Sequence, residues 1–366
     1  GAFGTVIAAK VKHADKKTRM SRDRLVAMKF QSLSELLKDI DHAKDAKREL
    51  DLLVELQELR SPFIMQLRGA FVTDRHLVLV MPLLLGGDLR YHLEEYGHFE
   101  LERTRLLTAE ICCGLEAIHS LGVVYRDLKP ENIVLCEENH ARITDFDRSR
   151  HMSEDATEDE IMEYTGTAGY MAPELINLEK YDQGIDVWSL GCLVFELLHA
   201  HHPFKAEVCF MSHVDPKNFP SPEFHKRLDK HSEVKNLICG MLQYNLRNRI
   251  GCKHKEELQG EGGKDQQHSR RVNWEEIKSH EFFDSLDWKK VLAEKTAPPT
   301  LITLEERVEK LQSISKCKSN WCRKNAKTLT EKERKLAKEI FSDYMYCETL
   351  SVHSPMKMKN GTLKSG

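Results

Sequence analysis

The sequence predicts an α+β fold in two lobes, a small β-rich N-terminal lobe and a larger helical C-terminal lobe carrying a charged extension. Three observations carry this. Strand-like apolar runs at residues 26–28 and 77–85 fall within the first lobe, and the second run is dense enough to be a buried strand that leaves its sheet as a hinge. Helical repeats dominate afterwards, in Leu107, Ile111, Gly114, Leu115, Ile118 and Leu121 and again in the stretch DQGIDVWSLGCLVFELL from Asp182. Past Ala297 the composition turns to proline and then to charge. The expected divisions are a first lobe over 1–85, a second over 86–283, an extension over 284–351 and a disordered end over 352–366.

Composition bounds the possibilities. With 366 residues, 40% hydrophobic and 31% charged, the chain can bury one large core or two smaller ones. A net charge of −3 gives no electrostatic footprint for nucleic acid, and no basic aromatic patch supplies one. No apolar run approaches the roughly 20 residues needed to cross a bilayer, and no lipidation box ends the chain, so the cytosol is the expected compartment. Ten cysteines are too dilute for a disulfide scaffold. Cys112, Cys113, Cys192 and Cys239 sit in apolar helical patterns and read as buried thiols, while Cys317 and Cys322 lack nearby ligands at metal spacing.

The elements follow in order. Residues 1–6, GAFGTV, set two glycines three apart, a turn spacing, and residues 26–29, VAMK, are an apolar strand delivering a lysine. From 34 to 59 the pattern is helical, with Leu52, Leu53, Leu56 and Leu59 on one face, charges opposite, and Glu49 near the start of the apolar stretch. Residues 61–93 read as two strands, a linker that Gly86 and Gly87 allow to turn, and a helix start. Gly122 stands where the next helix needs its C-terminal cap. Residues 124–147, VYRDLKPENIVLCEENHARITDFD, come next, with apolar runs at 133–135 and 141–144 forming a hairpin about 137–139. An isolated aspartate in such a loop is commonly just solvated; it is the joint pattern of this stretch that points to chemistry.

Downstream, residues 154–163 form an acidic loop, and 253–271, with GEGG and almost no apolar residue, a surface insertion. Asp186, in an apolar helix, needs hydrogen-bond partners if buried. HEFFDSLDW closes the globular part with aromatic anchors. Thr330 followed by Glu333 is a capping box opening a helix whose Leu336, Ile340, Phe341 and Tyr344 share a face.

YRDLKPEN with an aspartate-phenylalanine loop, GTAGYMAPE and DVWSLG together make the chain, over residues 1 to about 300, resemble a serine/threonine protein kinase of the AGC group. Within that group it looks most like the G-protein-coupled-receptor kinases, the beta-adrenergic receptor kinase family. LLLGGDLRYHL, VVYRDLKPEN, SLGC, NRIGC, FFDSLDWKKV and the spacing from Glu49 to Pro62 carry this likeness. The YANK kinases share LLLGGDLRYHL. The resemblance implies a bilobal kinase fold with an AGC-type extension, and transfer of phosphate from ATP, with Mg²⁺, to Ser or Thr.

Carried residue by residue, it makes Asp127 the group that accepts a hydrogen bond from the acceptor hydroxyl, and places Lys129 on the transferring phosphate. Asn132 and Asp145 supply hard oxygen ligands to Mg²⁺. Lys29 would hold the α- and β-phosphates, fixed by Glu49. Gly1 and Gly4 would be the second and third glycines of a phosphate-covering loop, with Val6 roofing the adenine and Ala27 in the same nucleotide set. Met81 would line the back of that pocket, Pro82 would offer its carbonyl, Leu84 both backbone groups, and Asp88 would reach the ribose. Thr167 would brace Asp127 and Lys129, and Glu174 would pair with Arg249.

The implied partners are cytoplasmic loops or tails of activated seven-helix receptors and G-protein subunits, with recruitment from the cytoplasm to the plasma membrane. The pattern departs from the family in three places. The first glycine of the phosphate loop and its strand would precede Gly1, so the first lobe is expected to be truncated. The helix after Thr330 resembles the element that returns to a regulator-of-G-protein-signalling homology domain, so its apolar face is expected to lack a partner. Asp147 stands where kinases carry glycine; positive φ there would cost about 1 to 2 kcal/mol, impairing rather than abolishing turnover. A pseudokinase or scaffold without turnover is the competing expectation.

Overall fold

Alternating side chains set the first sheet. In the computed structural model, which describes residues 4–10, 25–152, 165–204, 219–252, 271–296, 298, 329–341, 345–346, 358–359 and 362–363, the chain divides into two compact units. The first comprises 1–60, 65–86 and 300–366, the second 61–64 and 87–299. Gly1, the acidic loop 154–163, residues 253–270, Cys317, Cys322 and Tyr344 lie outside the described residues.

In the first unit, β1 (Gly4–Lys10), β2 (Leu25–Ser32), β3 (Gly69–Val72) and β4 (His76–Pro82) form an antiparallel sheet in the order β1-β2-β4-β3. Period two places Val26, Met28, Phe30 and Val78 on one face, where they pack with Ile7, Ala9, Phe71 and Val80. The opposite face therefore carries Val6, Ala27, Lys29 and Met81, since Val6 pairs with Lys29 and Ala27 with Met81.

The helical stretch expected over 34–59 is two helices, α1 (Leu33–Leu36) and α2 (Ile40–Glu58). Asp39 explains the break: its side chain accepts the Asp41 N–H at 3.0 Å and starts a new helix. Leu50, Leu52, Leu53 and Leu56 of α2 are buried. The helix Glu331–Ile340 opens with the expected Thr330 and Glu333 capping box. It packs on α2, with Ala337 and Phe341 buried, so its apolar face has a partner inside this unit, contrary to expectation. The short strand Met345–Tyr346 then joins the sheet parallel to β3.

In the second unit, Asp88 caps α3 (Leu89–Tyr96), and α4 (Leu101–Ser120) is buried along most of its length. Gly122, at φ +72°, closes α4 by donating its N–H to His119 O at 2.9 Å. β5 (Val123–Val124) leads into the functional loop, and β6 (Ile133–Leu135) with β7 (Ala141–Ile143) forms the expected hairpin, turning at Asn139 with φ +69°. β8 (Arg150–His151) pairs with β5. Beyond them come α5 (Pro173–Ile176), α6 (Gly184–His199), which is buried except at its end, and α7 (Ser232–Met241). α8 (Trp274–Lys278) and α9 (Trp288–Leu292) close the unit with Phe282 and Phe283 buried between them in sequence. Cys112, Cys113 and Cys192 are buried; Cys239 is only half-buried, because it lies off the Val234, Leu237, Ile238 and Met241 stripe of α7. Among the described residues no helix is long and apolar enough to cross a membrane.

At the end of α6 the His199 ring stacks on Phe195, its Nδ1 lies 2.8 Å from Phe195 O and its Nε2 accepts the His225 N–H at 3.1 Å. Both ring nitrogens are used only in the neutral form. Burial above all, partly opposed by the bond to Phe195 O and reinforced by positive charge on His201, Arg227 and His225, pushes its pKa down to about 4. A base whose folded pKa lies below its unfolded value of about 6.5 binds its proton preferentially in the unfolded chain. Its stabilising effect is therefore complete above about pH 6.5 and is lost as the pH falls towards 4. The melting midpoint is expected to drop as the pH is lowered from about 7 to about 5, and to drop less in His199→Gln. Equal slopes in the two proteins would count against this assignment.

Candidate active site

The loop between β5 and β6 is shaped from beneath by a buried carboxylate. Asp186, fully buried near the start of α6, accepts the Tyr125 N–H on Oδ2 and the Arg126 N–H on Oδ1, both at 2.8 Å. His119 Nε2 donates to the same Oδ2 at 2.8 Å, while its Nδ1 accepts from Trp274 Nε1 at 3.3 Å. These bonds hold Arg126 at φ +69°, a conformation that costs a non-glycine residue about 1 to 2 kcal/mol. Arg126 also donates to Arg148 O at 2.5 Å and to Tyr181 Oη at 3.0 Å.

The strained turn presents Asp127 as the hub of a polar cluster. Lys129 Nζ donates to Asp127 Oδ2 at 2.7 Å and to Thr167 Oγ1 at 2.7 Å, and Thr167 Oγ1 donates to Asp127 Oδ1 at 2.6 Å. Asn132 Nδ2 donates to the Asp127 carbonyl at 2.8 Å and to Oδ2 at 3.0 Å. The Asn132 amide is thus oriented with its nitrogen towards Asp127. Thr167 reaches the cluster because Gly166, at φ +123°, lets the chain pass where a Cβ would lie 3.1 Å from Arg126 O.

Asp145 follows the β6–β7 hairpin. Its φ is +61°, whereas Asp147, exposed to solvent, is not among the residues with positive φ. The strain expected at Asp147 therefore falls on Asp145, a residue type that tolerates it. Asp147→Gly is accordingly expected to leave melting stability within about 1 kcal/mol of wild type, with turnover within about twofold; a gain larger than that would restore the original expectation. Burial, then Asp145, Asp127, Asp147 and Asp186, push the Tyr125 phenol well above its ordinary range, and its hydroxyl donates to Thr144 O at 2.5 Å. Thr144 donates its N–H to Asn132 O at 3.0 Å, which ties the Asp145 segment to Asn132, and a carboxylate with a side-chain amide is the oxygen donor chemistry of a hard divalent cation, so the two residue types fit Mg²⁺.

In the first unit, Lys29 Nζ donates to Glu49 Oε1 at 2.7 Å, and Gln31 Nε2 donates to Glu49 Oε2 at 3.1 Å. Both Glu49 oxygens are thereby fixed from β2, and Glu49 is buried. Gln31 was missed in the sequence, although alternation from Lys29 puts it on the same face. On that face Val6 is 50% exposed, Ala27 is buried and Met81 half-buried. Gly4 opens β1 opposite Gln31; Pro82 ends β4 and Leu84 lies in the irregular segment beyond it. Asp88, in the second unit, uses Oδ1 to accept the Tyr91 N–H at 2.8 Å, a helix-capping bond, and burial raises its pKa.

A family model described as the protein kinase domain matches residues 1–258. The chain belongs to the protein kinase family. Curated relatives of this kinase chain include G protein-coupled receptor kinase 2 of Drosophila melanogaster, 32% identical over 82% of this chain and 38% of that protein. G protein-coupled receptor kinase 1 of Caenorhabditis elegans is 32% identical over 82% of the chain and 44% of its own length. Ribosomal protein S6 kinase 2 beta of Xenopus laevis is 34% identical over 82% of the chain and 42% of its length. The chain thus spans about two fifths of the length of these relatives.

Proposed function

We propose that this kinase-family chain is an ATP- and Mg²⁺-dependent serine/threonine kinase whose substrates are cytoplasmic segments of activated G-protein-coupled receptors. The observation that carries the catalytic part is the Asp127 cluster, in which a buried carboxylate is held by Lys129, Thr167 and Asn132. Phosphoryl transfer needs positioning and charge neutralisation more than covalent help. Asp127 orients the acceptor hydroxyl and takes its proton, and Lys129 neutralises charge on the moving phosphate. Asn132 and Asp145 hold Mg²⁺, which when bound neutralises the phosphate oxygens. Lys29, kept in place by Glu49, holds the α- and β-phosphates; Gly1 and Gly4 cover them. Val6, Ala27 and Met81 take the adenine, Pro82 and Leu84 supply backbone groups to it, and Asp88 takes the ribose. The receptor part is supported by the motif resemblance and by the names of two of the relatives, and recruitment from the cytoplasm to the plasma membrane by the resemblance alone.

The test is transfer of γ-labelled phosphate to matched peptides differing only in Ser, Thr or Tyr as acceptor. Label on the Ser and Thr peptides that disappears with chelator is expected. Label on Tyr alone would overturn the serine/threonine reading, and label on none would overturn the kinase reading and favour a scaffold, a reading that Asp147 no longer supports through backbone strain.

A further inference from the structure

Beside the Asp127 cluster lies a second polar network that the proposed chemistry does not use. Arg90, in the first turn of α3, spreads its guanidinium over three partners. Nε donates to Glu131 Oε1 at 3.0 Å, Nη1 to Glu196 Oε1 at 2.8 Å and Nη2 to Tyr170 Oη at 2.9 Å. The Tyr170 hydroxyl in turn donates to Glu196 Oε2. The Glu196 side chain is 5% exposed, while those of Arg90 and Glu131 are 26% and 44% exposed, so the network opens to solvent on one side.

Its place relative to the reacting group is set by the backbone. Glu131 lies between Lys129 and Asn132, both bonded to Asp127. Tyr170 donates its N–H to Thr167 O at 3.0 Å, and Thr167 donates to Asp127. Both carboxylates are thereby tied to the Asp127 cluster, Glu131 through its own loop and Glu196 through Tyr170, and one internal guanidinium bonds to both. Without Arg90 the buried Glu196 would keep only the Tyr170 hydroxyl and no countercharge, and would recruit a cation from solvent or substrate, because a buried carboxylate without a countercharge is costly.

We propose that Arg90 is a specificity-determining residue, a built-in occupant of a carboxylate subsite next to the acceptor, so that this chain does not select basic residues in its peptide substrate. A substrate arginine would have to displace a guanidinium already tethered to the same chain, and an intramolecular competitor acts at high effective concentration. Removing Arg90 leaves Glu131, Glu196 and Tyr170 facing an opening of guanidinium size, and the preference turns towards arginine. This rests on the kinase reading above.

Two measurements test it separately. The first is kcat/KM on a serine peptide series in which Arg replaces Ala at each position flanking the acceptor. In wild type no position is expected to gain. In Arg90→Ala one position should gain about tenfold over its own alanine peptide, the scale of a charge-assisted hydrogen bond, and Arg90→Ala with Glu196→Gln should lose that gain. Selection of arginine by wild type, or none by Arg90→Ala, overturns the proposal.

The second is the melting midpoint with and without methylguanidinium, which needs no turnover. Methylguanidinium should stabilise Arg90→Ala and neither wild type nor the double variant. If no protein transfers phosphate but this rescue occurs, the subsite stands and the kinase reading falls; if transfer is normal and both effects are missing, the subsite falls alone. Should Arg90→Ala not fold, Arg90→Gln, which keeps a polar side chain of shorter reach, carries the same comparisons.

Discussion

Asp127→Asn is expected to lower kcat for transfer to a serine peptide by about 10²- to 10⁴-fold, the usual contribution of a positioned proton acceptor. The KM for ATP should barely move, as it does when the lost interaction belongs to the transition state. The substitution is nearly isosteric but reverses part of the hydrogen-bonding pattern. Asp127 presents only acceptors to Lys129, Thr167 and Asn132; an amide must turn one N–H towards a donor. A stability loss of about 1 to 3 kcal/mol should accompany the kinetic effect, so the two are to be separated by assaying well below the melting transition. Wild-type turnover in Asp127→Asn would remove Asp127 from the chemistry.

The largest expected stability effect lies one layer deeper. Asp186→Ala should destabilise the second unit by about 3 to 5 kcal/mol in urea titrations, as losing one partner of a buried charged network does. It leaves the buried Tyr125 and Arg126 N–H groups and His119 Nε2 without their acceptor. It also releases Arg126 from a φ of +69°, which the folded loop maintains against its own preference. Turnover should therefore fall together with stability, although Asp186 touches none of the reacting groups. A loss below about 1 kcal/mol would mean that the loop holds its shape without this support.

These cases show what a sequence can and cannot reveal. The Asp127, Lys129, Asn132 and Asp145 spacing is legible because the groups lie within one short stretch whose hairpin is marked by apolar runs. Period two makes the β2 faces legible and would have exposed Gln31. The pairing of Glu174 with Arg249 is what the family resemblance implies, and the two meet in a bidentate pair at 2.7 and 3.1 Å. The Arg90 network was not visible, because Glu196 lies 106 positions away and nothing local marks the pairing. Backbone strain was misplaced for a related reason: a motif names the residue types but not which of them takes the left-handed turn, and here Asp145 does so rather than Asp147. The helix Glu331–Ile340 was recognised from its cap, while its docking on α2 depended on tertiary packing.

Calorimetric titration of ATP with and without Mg²⁺ measures whether Asp145 is a metal ligand. Asp145→Gly removes the carboxylate while accepting the +61° φ without strain. Wild type should bind ATP more tightly when Mg²⁺ is present, and the variant should show no such gain. An equal gain from Mg²⁺ in both proteins would contradict the assignment of this loop as the metal-nucleotide site.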